Sequence, residues 1–136
     1  MNNDFIEQLK KIIDGLELPI KTRLDYLNEF EDLVIYALPG GRVLEEDLAG
    51  TQIVQLPFEI AIKSQDQSLN NSILWKINSA LSALGIEIPS GNGSYTFLSL
   101  SVETPSLNDL DDQGFYVYLL DVTATIEIER TNSDEN

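Results

Sequence analysis

The chain has 136 residues, no Cys, no His, one Trp and a formal net charge of −15. Its length suits one domain with a core of its own, and an apolar content of 43% belongs to a folded protein. Without Cys and His there is no thiol nucleophile, disulfide or Cys/His zinc site, and the usual general base near neutral pH is missing; the acidity opposes binding to nucleic-acid phosphates and anionic membranes.

In chain order, Asp4 and Glu7 have the spacing of a capping box, Phe5, Ile6, Leu9, Ile12, Ile13 and Leu16 recur at helical spacing, and Gly15 supplies a stop. A first helix is expected there. The next run, PIKTRLDYLNEFEDL, is compatible with a helix or with a loop and strand. Leu33–Leu38 is an apolar run of strand length closed by Pro39-Gly40-Gly41. Val43–Asp47 and Thr51–Lys63 then read as a hairpin around Leu48-Ala49-Gly50. In its second arm Val54, Leu56, Phe58, Ile60 and Ile62 alternate with Ile53, Gln55, Pro57, Glu59 and Ala61, so the first set is the core face. Pro57 has no N–H and predicts an edge position or a bulge.

Ser64 and Gln67 have the spacing of a second capping box. Leu69, Ile73, Ile77, Ala80, Leu81 and Leu84 form the inward stripe of the helix that follows, with Gly85 at its end. After the loop PSGNGS come two long strands, Tyr95–Thr104 and Phe115–Arg130, joined by the acidic loop Pro105–Gly114. In the last strand Tyr118, Leu120, Val122, Ala124, Ile126 and Ile128 face inward, while Phe115, Val117 and Leu119 suggest that one end is covered on both sides. The order predicts an α+β fold, a mainly antiparallel β-sheet with two helices packed on one face. It forms a single domain over residues 1–130, followed by a flexible acidic tail, 131–136.

Charge is unevenly spread: residues 1–66 and 107–136 each carry −7, whereas residues 67–106 hold only Lys76, Glu87 and Glu103. The outer face of the second helix (Asn71, Ser72, Trp75, Asn78, Ser79, Ser82) bears no charge. Either it is a plain polar face with Trp75 under a loop, or Asn71, Trp75, Asn78 and Ser82 make a subunit contact, since Trp is enriched in interface anchors. DLDDQG from Asp109 to Gly114 begins like a calcium loop, but its bidentate position falls on Leu120. No P-loop is present, GNGS is ordinary turn chemistry, and the serines have no His to activate them. Glu45, Glu46 and Asp47 form a solvated patch rather than a hydrolase dyad. The expected protein is therefore not an enzyme, and it uses no cofactor and no metal. The opening MNNDF is unlike a secretory signal and no apolar run reaches the roughly 20 residues that span a bilayer, so no membrane association and an intracellular place are expected.

LPGGRVLEEDLAGTQIVQLPFEIAIKSQDQ, followed by LWKINSAL, resembles a family of small phage and prophage minor capsid proteins of Gram-positive hosts, itself similar to the tail-terminator proteins of long-tailed phages. The resemblance runs from about Leu33 to Arg130 and rests on Leu38–Gly41, Glu45-Glu46, Gly50-Thr51, Leu56–Ile60, Lys63 and the helix around Trp75. It implies a structural protein of the head–tail junction. Such a protein assembles in the host cytoplasm as a ring, a hexamer in tail terminators. The ring caps the tail tube, docks on the head connector and lets DNA pass without specific binding. Glu45, Glu46, Asp47, Asp109, Asp111 and Asp112 would then be an acidic channel or loop surface, since like charge lets phosphates slide. Two other readings stand beside it: a head-side minor capsid or connector protein, and an acidic DNA-mimicking module that sequesters a basic partner.

Overall fold

The computed structural model describes residues 3–129, so the acidic tail lies outside the described residues. In order the elements are α1 (Phe5–Asp14), β1 (Thr22–Arg23), β2 (Asp32–Ala37), β3 (Arg42–Glu46), β4 (Thr51–Ser64), α2 (Gln67–Leu81), β5 (Thr96–Val102), β6 (Ser106–Leu110) and β7 (Tyr116–Glu129). They make one seven-stranded sheet in which all pairings are antiparallel except β1 with β2. Both helices pack on the same face, as expected of the α+β fold. Phe5, Leu9 and Ile13 of α1 and Ile73, Leu74, Ile77 and Leu81 of α2 share one core with Val54, Phe58, Ile60 and Ile62 of β4 and with Tyr118 to Ile126 of β7. Phe5 stacks on Phe58 at 5.3 Å between ring centres and meets Tyr95 edge-on at 5.7 Å.

The sheet is organised around β4 and β7, which pair without a break from Thr51 opposite Glu129 to Ser64 opposite Tyr116. Each then changes partner along its other side. β4 pairs with β2 over Phe58–Lys63 and with β3 over Gln52–Gln55. β7 pairs with β6 over Tyr116–Leu119 and with β5 over Val122–Glu127. At the two switches a carbonyl is met by one crossing residue: Leu38 N–H donates to Pro57 O at 3.0 Å and Glu103 N–H to Asp121 O at 2.9 Å.

This placement corrects the expectation for Pro57. It sits on an interior strand, paired with Thr123, and not at an edge or bulge. N and O of a strand residue point to the same side. The ring nitrogen of Pro57 therefore faces the gap between β2 and β3, where no ladder bond is lost. Gly41 lies in the same crossing, where an added Cβ would come within 3.3 Å of Leu56 Cδ2. The bulges fall instead on the outer strands, at Val43/Glu45, Phe97/Ser99 and Leu107/Asp109.

Other local readings also change. Asp4 makes no cap bond to α1. The cap of α2 is Asp66, which accepts from Leu69 N–H at 3.0 Å, while Ser64 is buried and donates to Asn70 Oδ1. Asn70 in turn donates to Tyr116 O at 2.9 Å, and Gln67 donates to Tyr118 Oη at 2.8 Å, so the start of α2 is pinned to β7. The buried stripe of α2 contains Leu74 and Asn70, and Leu84 lies beyond the helix, fully exposed. The acidic loop Pro105–Gly114 contains β6, and the ambiguous run after α1 contains β1 and the start of β2. On the reverse face Val34 and Ala61 are buried, and the segment before β2 crosses them: Tyr26 lies 4.9 Å from the Tyr36 ring, and Asn28 O accepts from Lys63 Nζ at 3.3 Å.

Candidate interaction surfaces

The outer stripe of α2 is the first candidate. Spacings of four, three and four residues put Asn71, Trp75, Asn78 and Ser82 on one side of the helix. Asn71 and Ser82 are exposed and Trp75 is 44% exposed, which removes the reading that a loop covers it. Asn78 is half-buried and has a task within the protomer, donating from Nδ2 to Glu103 O at 2.7 Å. That bond ties the helix to the crossing between β5 and β6, so the uncharged stripe lies beside β5, the outermost strand on that side, whose Leu98 is 44% exposed.

The six acids form two groups. Glu45, Glu46 and Asp47 belong to the β3–β4 hairpin, at the Thr51 end of the central pair, while Asp109, Asp111 and Asp112 belong to the β6–β7 hairpin, at the Ser64 end. Fourteen-residue strands hold the two groups on the order of 40 Å apart, so one protomer does not join them into a single surface. Three of the six are also occupied: Glu46 Oε1 accepts from Gln52 Nε2 at 3.2 Å. Asp47 Oδ1 accepts from Ala49 and Thr51 N–H at 2.9 and 3.0 Å, and Asp111 Oδ1 accepts from Gln113 and Phe115 N–H, both at 2.9 Å. The Phe115 bond, with Lys63 Nζ 3.3 Å from Asp111 Oδ2, holds the Asp111 carboxyl below its ordinary range.

Two ionisable clusters escaped the sequence reading. The first is a socket for Asp4. Its Oδ1 accepts from Ser90 Oγ at 2.6 Å and Ser94 Oγ at 3.0 Å, and its Oδ2 from Gly91 N–H at 2.8 Å and Gln8 Nε2 at 2.9 Å. Burial acts to raise its pKa, but these bonds outweigh it and bring the carboxyl down to about 2. The loop containing GNGS therefore does cradle an anion, the side chain of the first helix. The second cluster lies on the reverse face, where Glu59 and Asp121 are direct cross-strand neighbours and the Tyr36 hydroxyl donates to Glu59 Oε1. Burial, then the hydrogen bond and charge of Glu59, push the Asp121 carboxyl up to about 6. Only the strand register brings residues 59 and 121 together, so no local motif could announce the pair.

None of these groups is arranged around a reacting centre, and what the surface offers is an uncharged helix stripe, open sheet edges and two acidic hairpins. Residues 6–128 match the family described as "Bacteriophage tail terminator protein". The chain belongs to the bacteriophage tail terminator family. Its role is that of a virion structural protein at the head–tail junction, which favours the terminator over the head-side connector among the readings drawn from the sequence. The sequence matches no curated protein. The fold of this tail terminator is shared with a chain of a solved structure described as "Virion of native gene transfer agent (GTA) particle". The TM-score is 0.60 over 90% of this chain and 91% of that one, with 12% identity. Among the described residues no helix is long and apolar enough to cross a membrane.

Proposed function

We propose that this tail terminator acts as a closed ring, a hexamer in the assembled virion, formed in the host cytoplasm and then held between tail tube protein and head connector. It has no enzymatic activity and works by shape and charge. The observation that carries this reading is the exposed Trp75 on an uncharged helix stripe of a protein with net charge −15. A solvated helix face normally carries Lys and Glu, whereas a desolvated contact favours Trp and few charges. Asn71 and Ser82 flank Trp75 in this contact, and Asn78 fixes the helix against the β5–β6 crossing. The contact is heterologous, joining different patches of neighbouring copies, and such contacts form rings when the rotation closes. The surplus acids, with Glu45 and Glu46 on one hairpin and Asp109 and Asp112 on the other, keep the ring from binding the DNA that passes through it.

The experiment is light scattering with negative-stain microscopy over a concentration series, alone and with tail tubes. Hexameric rings, or rings seated on tube ends, are expected. A chain that stays monomeric at every concentration and does not bind tubes refutes the proposal.

A further inference from the structure

Both helices pack on one face of the sheet, and the strand register sets the side chains of the other face in rows. At mid-ribbon Glu59 lies directly opposite Asp121, and the Glu103 N–H bonded to Asp121 O brings a third carboxylate alongside. The three line one recess with Thr104 and Ser106. Toward Glu129 come hydroxyl and amide side chains: Ser99 and Ser101 of β5, Thr123 and Thr125 of β7, and Gln55 of β4. Beyond them Glu45 and Glu127 flank Ile53, and Glu129 lies opposite Thr51. None of these residues is buried. This half of the face carries six carboxylates against one base, Arg42, which donates to Gln55 Oε1 at 3.4 Å.

Stability does not ask for this arrangement. Like charges directly opposite each other on neighbouring strands weaken a sheet, and neither Glu59 nor Asp121 makes an ion pair among the described residues. A surface that meets only water intersperses both signs. The subunit contact at Trp75 lies beside the β5 edge, and the opposite edge at this level is β3. Contacts at the edges turn one face of the sheet toward the axis of a ring and the other away from it. The sheet here is four strands wide, β3-β4-β7-β5, or roughly 19 Å at about 4.8 Å per strand. Six copies side by side then enclose roughly 35 Å between backbones, room for a duplex, side chains and water.

We propose that the helix-free face of the β4–β7 ribbon is the wall of the ring's channel, along which duplex DNA passes. Its two carboxylate bands, Glu59–Asp121–Glu103 and Glu45–Glu127–Glu129, stand about 20 Å apart along the strands and repel phosphates at two levels. The band of hydroxyls and amides between them supplies no cation beyond Arg42, so the duplex is kept centred and is not held. The helices, on the opposite face, point away from the axis. This inference rests on the ring proposal and says which face of the protomer lines its channel.

The test makes the wall basic and asks whether DNA must thread to reach it. Rings isolated by size exclusion, or seated on tube ends, are mixed at low salt with linear duplex and with covalently closed circular duplex. Wild-type rings are expected to retain neither. Rings of E127K/E129K should retain the linear duplex at least tenfold better than the closed circle, which has no end to thread. The control E7K/E87K makes the same change of charge on α1 and in the loop after α2, and should treat the two DNAs alike. If E127K/E129K does not fold, as read by circular dichroism, E45K/E129K takes its place, since both side chains are exposed. Wall-variant rings that hold both DNAs equally, or neither, overturn this placement and leave the ring standing, as does a control that prefers the linear form. Protein that forms no rings, alone or on tubes, overturns both.

Discussion

Asp4→Asn keeps the shape of the side chain in the Ser90–Ser94 socket but removes its charge. The carboxylate accepts hydrogen bonds from Ser90, Ser94, Gly91 and Gln8. A fall in pKa from 3.8 to about 2 corresponds by linkage to at most about 2.5 kcal/mol of stability. Solvent screening of a half-exposed site reduces this to about 1 kcal/mol. Because the folded-state pKa lies below the unfolded one, the contribution is complete above about pH 5. It falls to about half near pH 3 and is nearly gone by pH 2. The assay is urea denaturation followed by far-UV circular dichroism, for wild type and variant, from pH 7 downward. The variant is expected to be less stable by about 1 kcal/mol at pH 7, with a gap that closes on acidification. A gap that is absent at neutral pH, or that stays constant down to pH 2.5, would refute the socket as the origin of the shift.

Asp121→Asn tests the reverse sign. The pKa of Asp121 is raised to about 6, so ionising it in the folded protein costs stability as pH rises through that value. The variant should be more stable than wild type above pH 6, by less than about 1 kcal/mol after screening, and equal to it near pH 4, as read by thermal unfolding. Leu74→Ala removes a fully buried side chain and should cost about 2–5 kcal/mol, whereas Leu84→Ala, at a fully exposed position, should change stability by less than about 0.5 kcal/mol; chemical denaturation of the pair checks the inward face of α2. Trp75→Ala should leave the monomer within about 1 kcal/mol of wild type and weaken self-association at least tenfold, by analytical ultracentrifugation.

What the sequence disclosed was whatever had a local period. The apolar stripe of α1, the alternation in β4 and β7 and the hairpin between β3 and β4 all lie close to where spacing put them. β6 was hidden because SLNDL is exposed along its whole length and so has no inward face to alternate. β1 has two residues and exists through its partner β2. Asp4 and Ser64 looked like helix caps because the spacing to Glu7 and Gln67 fits, but each is used by a group elsewhere, Asp4 by a loop nearly 90 residues away. Pro57 followed the rule for a missing N–H, but the rule concerns ladder bonds and not sheet position, and a partner switch satisfies it inside the sheet. Of the candidate surfaces, the helix stripe could be read from spacing alone. The separation of the acids could not, because it depends on two hairpins closing at opposite ends of one ribbon.

The central position of β7 has a consequence for synthesis. The strand that joins β4 to β5 and β6 is the last of the described strands to leave the ribosome, with Tyr116–Glu129 pairing back to residues 51–64. Until it emerges, β4 presents a fourteen-residue row of unsatisfied backbone groups on one side, and β5 and β6 have no sheet to join. The β1–β2–β4–β3 half can pair before then, but chains stopped before about residue 116 lack the strand that holds β5 and β6 to it. Such chains keep the long side of β4 open, and an unpaired edge of that length is a template for pairing with other chains.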